Sequence, residues 1–133
     1  MNKYKIVLVA AITAAITGCA TATREELTKF DNARLCVVYG SAAEKENVLD
    51  EINSRKLFKP NDIPSIQNKQ EYLGMSGCAV LAINGFPDRS SVAVTLTGRH
   101  ITYTYIRPRS GGGWSIDRTY YITNNTLISK HSY

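Results

Sequence analysis

At Pro87 the spacing of apolar residues changes from threes and fours to twos. Beyond it, "SSVAVTLTG" places Val92, Val94 and Leu96 on one face, and "RHITYTYIR" places Ile101, Tyr103 and Tyr105 together. Strict alternation marks a strand whose two faces meet different surroundings. Thr97-Gly98-Arg99 supplies the turn between the two. "PRSGGGW", residues 108–114, reads as a flexible loop, and "SIDRTYYIT" and "TLISKHS" read as two more strands. Asn124-Asn125 joins that second pair, because asparagine tolerates the positive φ of a tight hairpin. The expectation is an antiparallel meander of three or four strands.

Before Pro87 the signals are helical. Thr23 and Glu26 have capping-box spacing. A helix is expected from there to about Tyr39, with Leu27, Phe30, Leu35 and Val38 turned inward and Gly40 as its stop. Ser41 and Glu44 repeat the box, and a second helix is expected to about Lys56 on a stripe of Val48, Leu49 and Ile52. Pro60 and Pro64 argue against helix in "LFKPNDIP", which reads as a linker wrapping back over the core, with Ile63 and Ile66 inserted. Ser76 caps a short helix carrying Cys78, Val80, Leu81 and Ile83, and Gly85 with Pro87 ends it. Helices first and strands after predict an α+β fold, N-terminal helices packed on a three- to four-stranded antiparallel β-meander.

The first residues have another use. Lys3 and Lys5 precede the apolar run Ile6–Ile16, and small residues follow, which is the layout of a secretory signal. The run is shorter than the roughly 20 residues of a membrane span. Ile16-Thr17-Gly18-Cys19 resembles the lipobox of bacterial lipoproteins. The resemblance implies cleavage before Cys19, thioether lipidation of its sulfur and acylation of the new amino terminus. Several acyl chains on one residue anchor durably where a single chain is marginal. Ala20 stands where aspartate is associated with inner-membrane retention, so the outer membrane, with the domain on its periplasmic face, is the expected destination. The expected organisation is a signal peptide over 1–18, a lipidated tether over 19–23 and one domain over 24–133. That domain divides into a helical extension, 24–66, and a core, 70–133.

Charge and cysteines fit that compartment. The formal net charge of +5 becomes +3 once Lys3 and Lys5 are removed. Cys19–Asp88 carries 8 basic and 10 acidic side chains, whereas Arg89–Tyr133 carries 6 and 1. The strand region is therefore a basic face, suited to lipid headgroups, an acidic partner or water alone. Export argues against nucleic acid. With Cys19 lipidated, Cys36 and Cys78 remain as an even pair in an oxidising compartment and are expected to form a disulfide, two separate buried thiols being the alternative.

Gly74-Met75-Ser76, then Val80, then Gly85-Phe86-Pro87, resembles the motif of the SmpA/OmlA (BamE-like) family of outer-membrane lipoproteins, whose fold is β-lactamase-inhibitor-like. The resemblance covers roughly residues 70–133. It implies two helices on a three-stranded antiparallel sheet, a lipid anchor and a binding role in envelope assembly or maintenance. The same residues have a plain physical reading: Gly74 permits a tight turn, Ser76 caps, Val80 faces the sheet, Gly85 takes a left-handed cap and Pro87 redirects the chain.

Catalysis needs a nucleophile beside a base, paired carboxylates or a metal. No catalytic residue, cofactor or metal is expected: His100 and His131 fall in strands as surface residues, Asp117 is expected to pair with Arg118, Arg107 or Arg109, and "RSGGGWS" lacks the Gly-Lys-Ser/Thr ending of a phosphate loop. Tyrosine, tryptophan and arginine are enriched at interface hot spots. Arg99, Tyr103, Tyr105, Arg107, Arg109, Trp114 and Arg118 are accordingly the candidate partner-binding residues. The expected function is a non-enzymatic, lipid-anchored module that binds an envelope protein. The alternative is an inhibitor or phage-exclusion lipoprotein that blocks an envelope receptor or hydrolase. Peptidoglycan is a further candidate partner.

Overall fold

The computed structural model describes residues 22–133, so the signal peptide, Cys19 and most of the tether lie outside the described residues. Among the described residues five helices precede four strands. The helices are α1 (Arg24–Thr28), α2 (Asn32–Ser41), α3 (Glu46–Ser54), α4 (Asp62–Asn68) and α5 (Gly77–Asn84). The strands are β1 (Arg89–Thr95), β2 (Gly98–Pro108), β3 (Trp114–Thr123) and β4 (Thr126–Ser132). They pair in the order β1-β2-β3-β4, every pair antiparallel. The α+β meander expected from the sequence is the fold. It has one strand and three helices more than the family resemblance implies.

Local chemistry sets the helix starts. The Thr23 hydroxyl accepts from the Glu26 amide while the Glu26 carboxylate accepts from the Thr23 amide, the expected capping box. The helix expected through to Tyr39 is two. The Asp31 carboxylate accepts from the Arg34 amide at 2.7 Å and starts α2 afresh. Gly40 does not stop α2 but lies inside it. A Cβ on Gly40 would stand 1.9 Å from the Ala82 carbonyl oxygen, so the glycine is there because α2 and α5 cross almost backbone to backbone. The Ser41–Glu44 box does not form. Ser41 ends α2, its hydroxyl turned back to the carbonyls of Val37 and Val38, and α3 begins without a side-chain cap. The proline-containing linker is also corrected. Pro64 sits in the first turn of α4, where its missing N–H has no intrahelical partner to lose.

Residues 24–66 share one core with the strands rather than extending away from them. The Cys36 and Cys78 sulfurs are bonded at 2.00 Å, as the cysteine count predicted, and the bond ties α2 to α5 next to the Gly40 crossing. Leu27, Leu35, Ile52, Met75 and Val80 belong to one buried cluster with Tyr120, Ile122 and Leu127 of the sheet. Directly opposed residues of an antiparallel pair share a face. Tyr103 opposes Tyr120, and Ile101 opposes Ile122, so these four line the helix-facing side. A register shift between Tyr105 and Ile106 leaves Asp117 as an extra residue on β3, and a second shift leaves Ile128 extra on β4. Asn124 and Asn125 turn between β3 and β4 with φ of 48° and 59°, as expected for a two-residue hairpin.

Candidate functional site

The Gly74–Pro87 motif builds scaffold. Met75, Ser76 and Val80 are buried. The Ser76 hydroxyl accepts from the Ala79 amide and caps α5. At the far end Gly85, with φ 77°, donates its N–H to the Leu81 carbonyl and closes α5, and Pro87 follows at once. Gly74 and Met75 reach the sheet: the Gly74 N–H donates to the Leu127 carbonyl and the Leu127 N–H to the Met75 carbonyl, both at 2.8 Å.

Two polar clusters hold the helices to the sheet, and the sequence reading found neither. Asp62 is fully buried, and its carboxylate accepts from the Lys59 amide, the Tyr72 hydroxyl and the Ser76 amide. Burial and that neighbouring carboxylate push the Tyr72 phenol up to about 12. Lys59 bridges onward, its ammonium donating to the Gly74 carbonyl and the Thr126 hydroxyl. In the second cluster Glu71 accepts from the Tyr120 hydroxyl (2.6 Å), the Asn84 amide (2.7 Å) and the Lys130 ammonium. Burial alone would raise the Glu71 carboxyl, but these donors and the Lys130 charge outweigh it and hold it below the usual glutamate range. Burial and the Glu71 charge push the Tyr120 phenol well up. The signal for such a cluster is pairwise and long-range, since Glu71 and Lys130 stand 59 residues apart.

The seven candidate partner-binding residues separate into four environments. Tyr103 and Tyr105 are only 8% and 6% exposed and belong to the core, which removes both from the surface patch expected of them. Burial raises both phenols, and the Tyr105 hydroxyl donates to the Gly85 carbonyl. Arg118 lies inside the second cluster, donating to Asn84, Tyr120 and Asp117. Arg99 is exposed and lines a different cleft, with Ile101 and Ile122. Only Arg107, Arg109 and Trp114 come together, at the tip of the β2–β3 hairpin, where Ile116 and Tyr133 join them around an open cleft. Asp117 pairs with both Arg118 (2.9 Å) and Arg107 (3.3 Å), and Arg107 also donates to the Tyr133 carbonyl. The sequence reading named the arginines and Trp114. It missed Ile116 and Tyr133, which the Asp117 bulge and the end of β4 bring alongside.

His100 and His131 lie on the face away from the helices. His100 hydrogen-bonds to Thr95, Thr97 and Thr123, and His131 bonds to Ser129 beside the edge of the Tyr121 ring. Among the described residues no three His, Cys, Asp or Glu side chains gather into a metal-binding group. No described helix is long and apolar enough to cross a membrane. No family model, curated protein or solved structure matches the chain.

Proposed function

We propose that the chain is an outer-membrane lipoprotein of the SmpA/OmlA type, anchored through Cys19, whose periplasmic domain works by holding another envelope protein. The observation that carries this reading is the β2–β3 tip, where Trp114, 68% exposed, stands with Arg107, Arg109, Ile116 and Tyr133 on a glycine-rich turn. Large exposed aromatics beside arginine are the residues that dominate binding energy once desolvated. The lipobox-like Ile-Thr-Gly-Cys and the disulfide between the other two cysteines support the compartment. Binding rather than chemistry is favoured because the best-buried carboxylates, Asp62 and Glu71, are spent on fold-holding hydrogen bonds. The same tip would also serve a protein that blocks an envelope receptor or hydrolase.

The test combines anchor and tip in a bacterial host. Labelled palmitate should enter the wild type and not Cys19→Ser. A photo-crosslinker at Trp114 should trap one defined envelope protein, and Arg107→Glu with Arg109→Glu should abolish the adduct. An unlabelled wild type would sink the anchor. Absence of an adduct, or an adduct indifferent to the charge reversal, would sink the tip.

A further inference from the structure

The helix layer roofs three of the four strands. Across the sheet, Leu127, Ile122, Ile101 and Val92 form one row on the helix-facing side. Leu127 and Ile122 are buried, Ile101 is half-buried, and Val92 is 52% exposed, with its neighbour on that face, Val94, 79% exposed. Beside Ile101 a cleft of about 470 Å³ opens under the helices, floored by Ala33, Leu57, Leu81, Ile122 and the Cys36–Cys78 bond. No Asp or Glu lines it. Lys56 and Arg99 do; both are exposed, and neither has an ion-pair partner among the described residues.

β1 itself is an unguarded edge. All seven of its residues are exposed, it contains no proline and no bulge, and its single charge, Arg89, stands at its start. Sheet edges left in this state pair with other strands, which is why proteins ordinarily blunt them.

We propose that β1 and the adjoining cleft dock an extended segment of another protein, with apolar side chains at alternate positions and a carboxylate among them, as a fifth strand. The inference rests on the reading of the chain as a protein-binding module, but not on the hairpin tip. The segment's backbone pairs with β1. Its inward side chains cover Val92 and Val94 and reach the cleft, and its carboxylate meets Lys56 and Arg99. This occupant accounts for edge, apolar floor and charge together. An acyl chain would fill the cleft but leave the β1 backbone unpaired. A second copy of β1, "RSSVAVT", would bring Arg89 and no carboxylate to a site already positive.

The experiment pans random decapeptides against the full chain, with amide spectra recorded on the selected peptides. Enriched sequences should alternate apolar residues and include Asp or Glu, and should shift the amides of β1. Val94→Lys should weaken their binding about tenfold or more, and Lys56→Glu with Arg99→Glu should turn the selection toward basic peptides. These side chains are exposed, and circular dichroism checks that each variant is folded. Trp114→Ala should leave peptide binding unchanged, so failure here and failure at the tip are told apart. The proposal is overturned by selection of no common class, by binding indifferent to both variants, by a dimer that Val94→Lys dissociates, or by fatty acid occupying the cleft with the β1 amides unmoved.

Discussion

At the β4 edge, Leu127 exchanges both backbone hydrogen bonds with the Gly74–Met75 segment, Lys130 sits on Glu71, and the extra residue Ile128 bends the strand. At the β1 edge all seven residues face solvent, and the valines on the helix side have no helix above them. The two margins of one sheet are therefore finished in opposite ways. The β4 side is closed by backbone pairing, a charge and a polar cluster, the usual ways of disarming an edge. The β1 side keeps its apolar surface open. Stability should concentrate on the closed side and on the α2–α5 crossing, and exchange with partners on the open one.

Replacing both Cys36 and Cys78 with serine is the severest way to disturb this division, because α2 walls the cleft on the open side. With 42 residues of separation, the loop-closure model assigns the bond about 4 kcal/mol, to be read as a fall in unfolding free energy in urea. Gly40→Ala comes next. Its Cβ would meet the Ala82 carbonyl, so α2 and α5 must separate, at about 3 kcal/mol by the same measurement.

The closed side answers to smaller changes. Tyr120→Phe removes a hydroxyl that donates to Glu71 and accepts from Arg118, and should cost about 2 kcal/mol. Glu71→Gln adds a pH signature. A carboxyl held below its ordinary value stabilises the fold above the unfolded-state value of 4.5, and that contribution is lost as pH falls through the folded value. The wild type should therefore lose stability below about 4.5, and the Gln variant should lose less over the same interval. Val94→Lys should be the mildest, within about 0.5 kcal/mol of wild type. If it costs as much as Tyr120→Phe, the β1 face is packed and the contrast between the edges fails.

Much of the closed architecture was legible because its signals are local. Thr23 with Glu26, Ser76, Gly85 and Asn124-Asn125 each fix a helix or hairpin end through neighbours a few residues away. The disulfide was legible from parity. Gly40 was misread because glycine at a helix end and glycine at a close crossing look alike in one dimension; the other partner, Ala82, lies 42 positions on. Asp31 was overlooked as a cap because the apolar spacing runs straight through it. The site divided along the same line. Arg107, Arg109 and Trp114 flank one loop and were found together, whereas the separation of Tyr103 and Tyr105 into the core depends on which strands the helices roof. The alternation in β1 identified a strand but carried no information about its cover.

The meander has a consequence for the order of folding. Every strand bonds to its neighbour in sequence, across turns as short as Leu96-Thr97 and Asn124-Asn125, so the sheet can zip from one hairpin to the next without waiting for distant chain. The helices pack mainly on one another, and they meet the sheet through α5 and the Gly74–Met75 segment, whose partner Leu127 stands in the last strand to emerge. In a chain delivered amino end first, that seam can close only once the last strand is out, so the slow step should be docking rather than strand pairing.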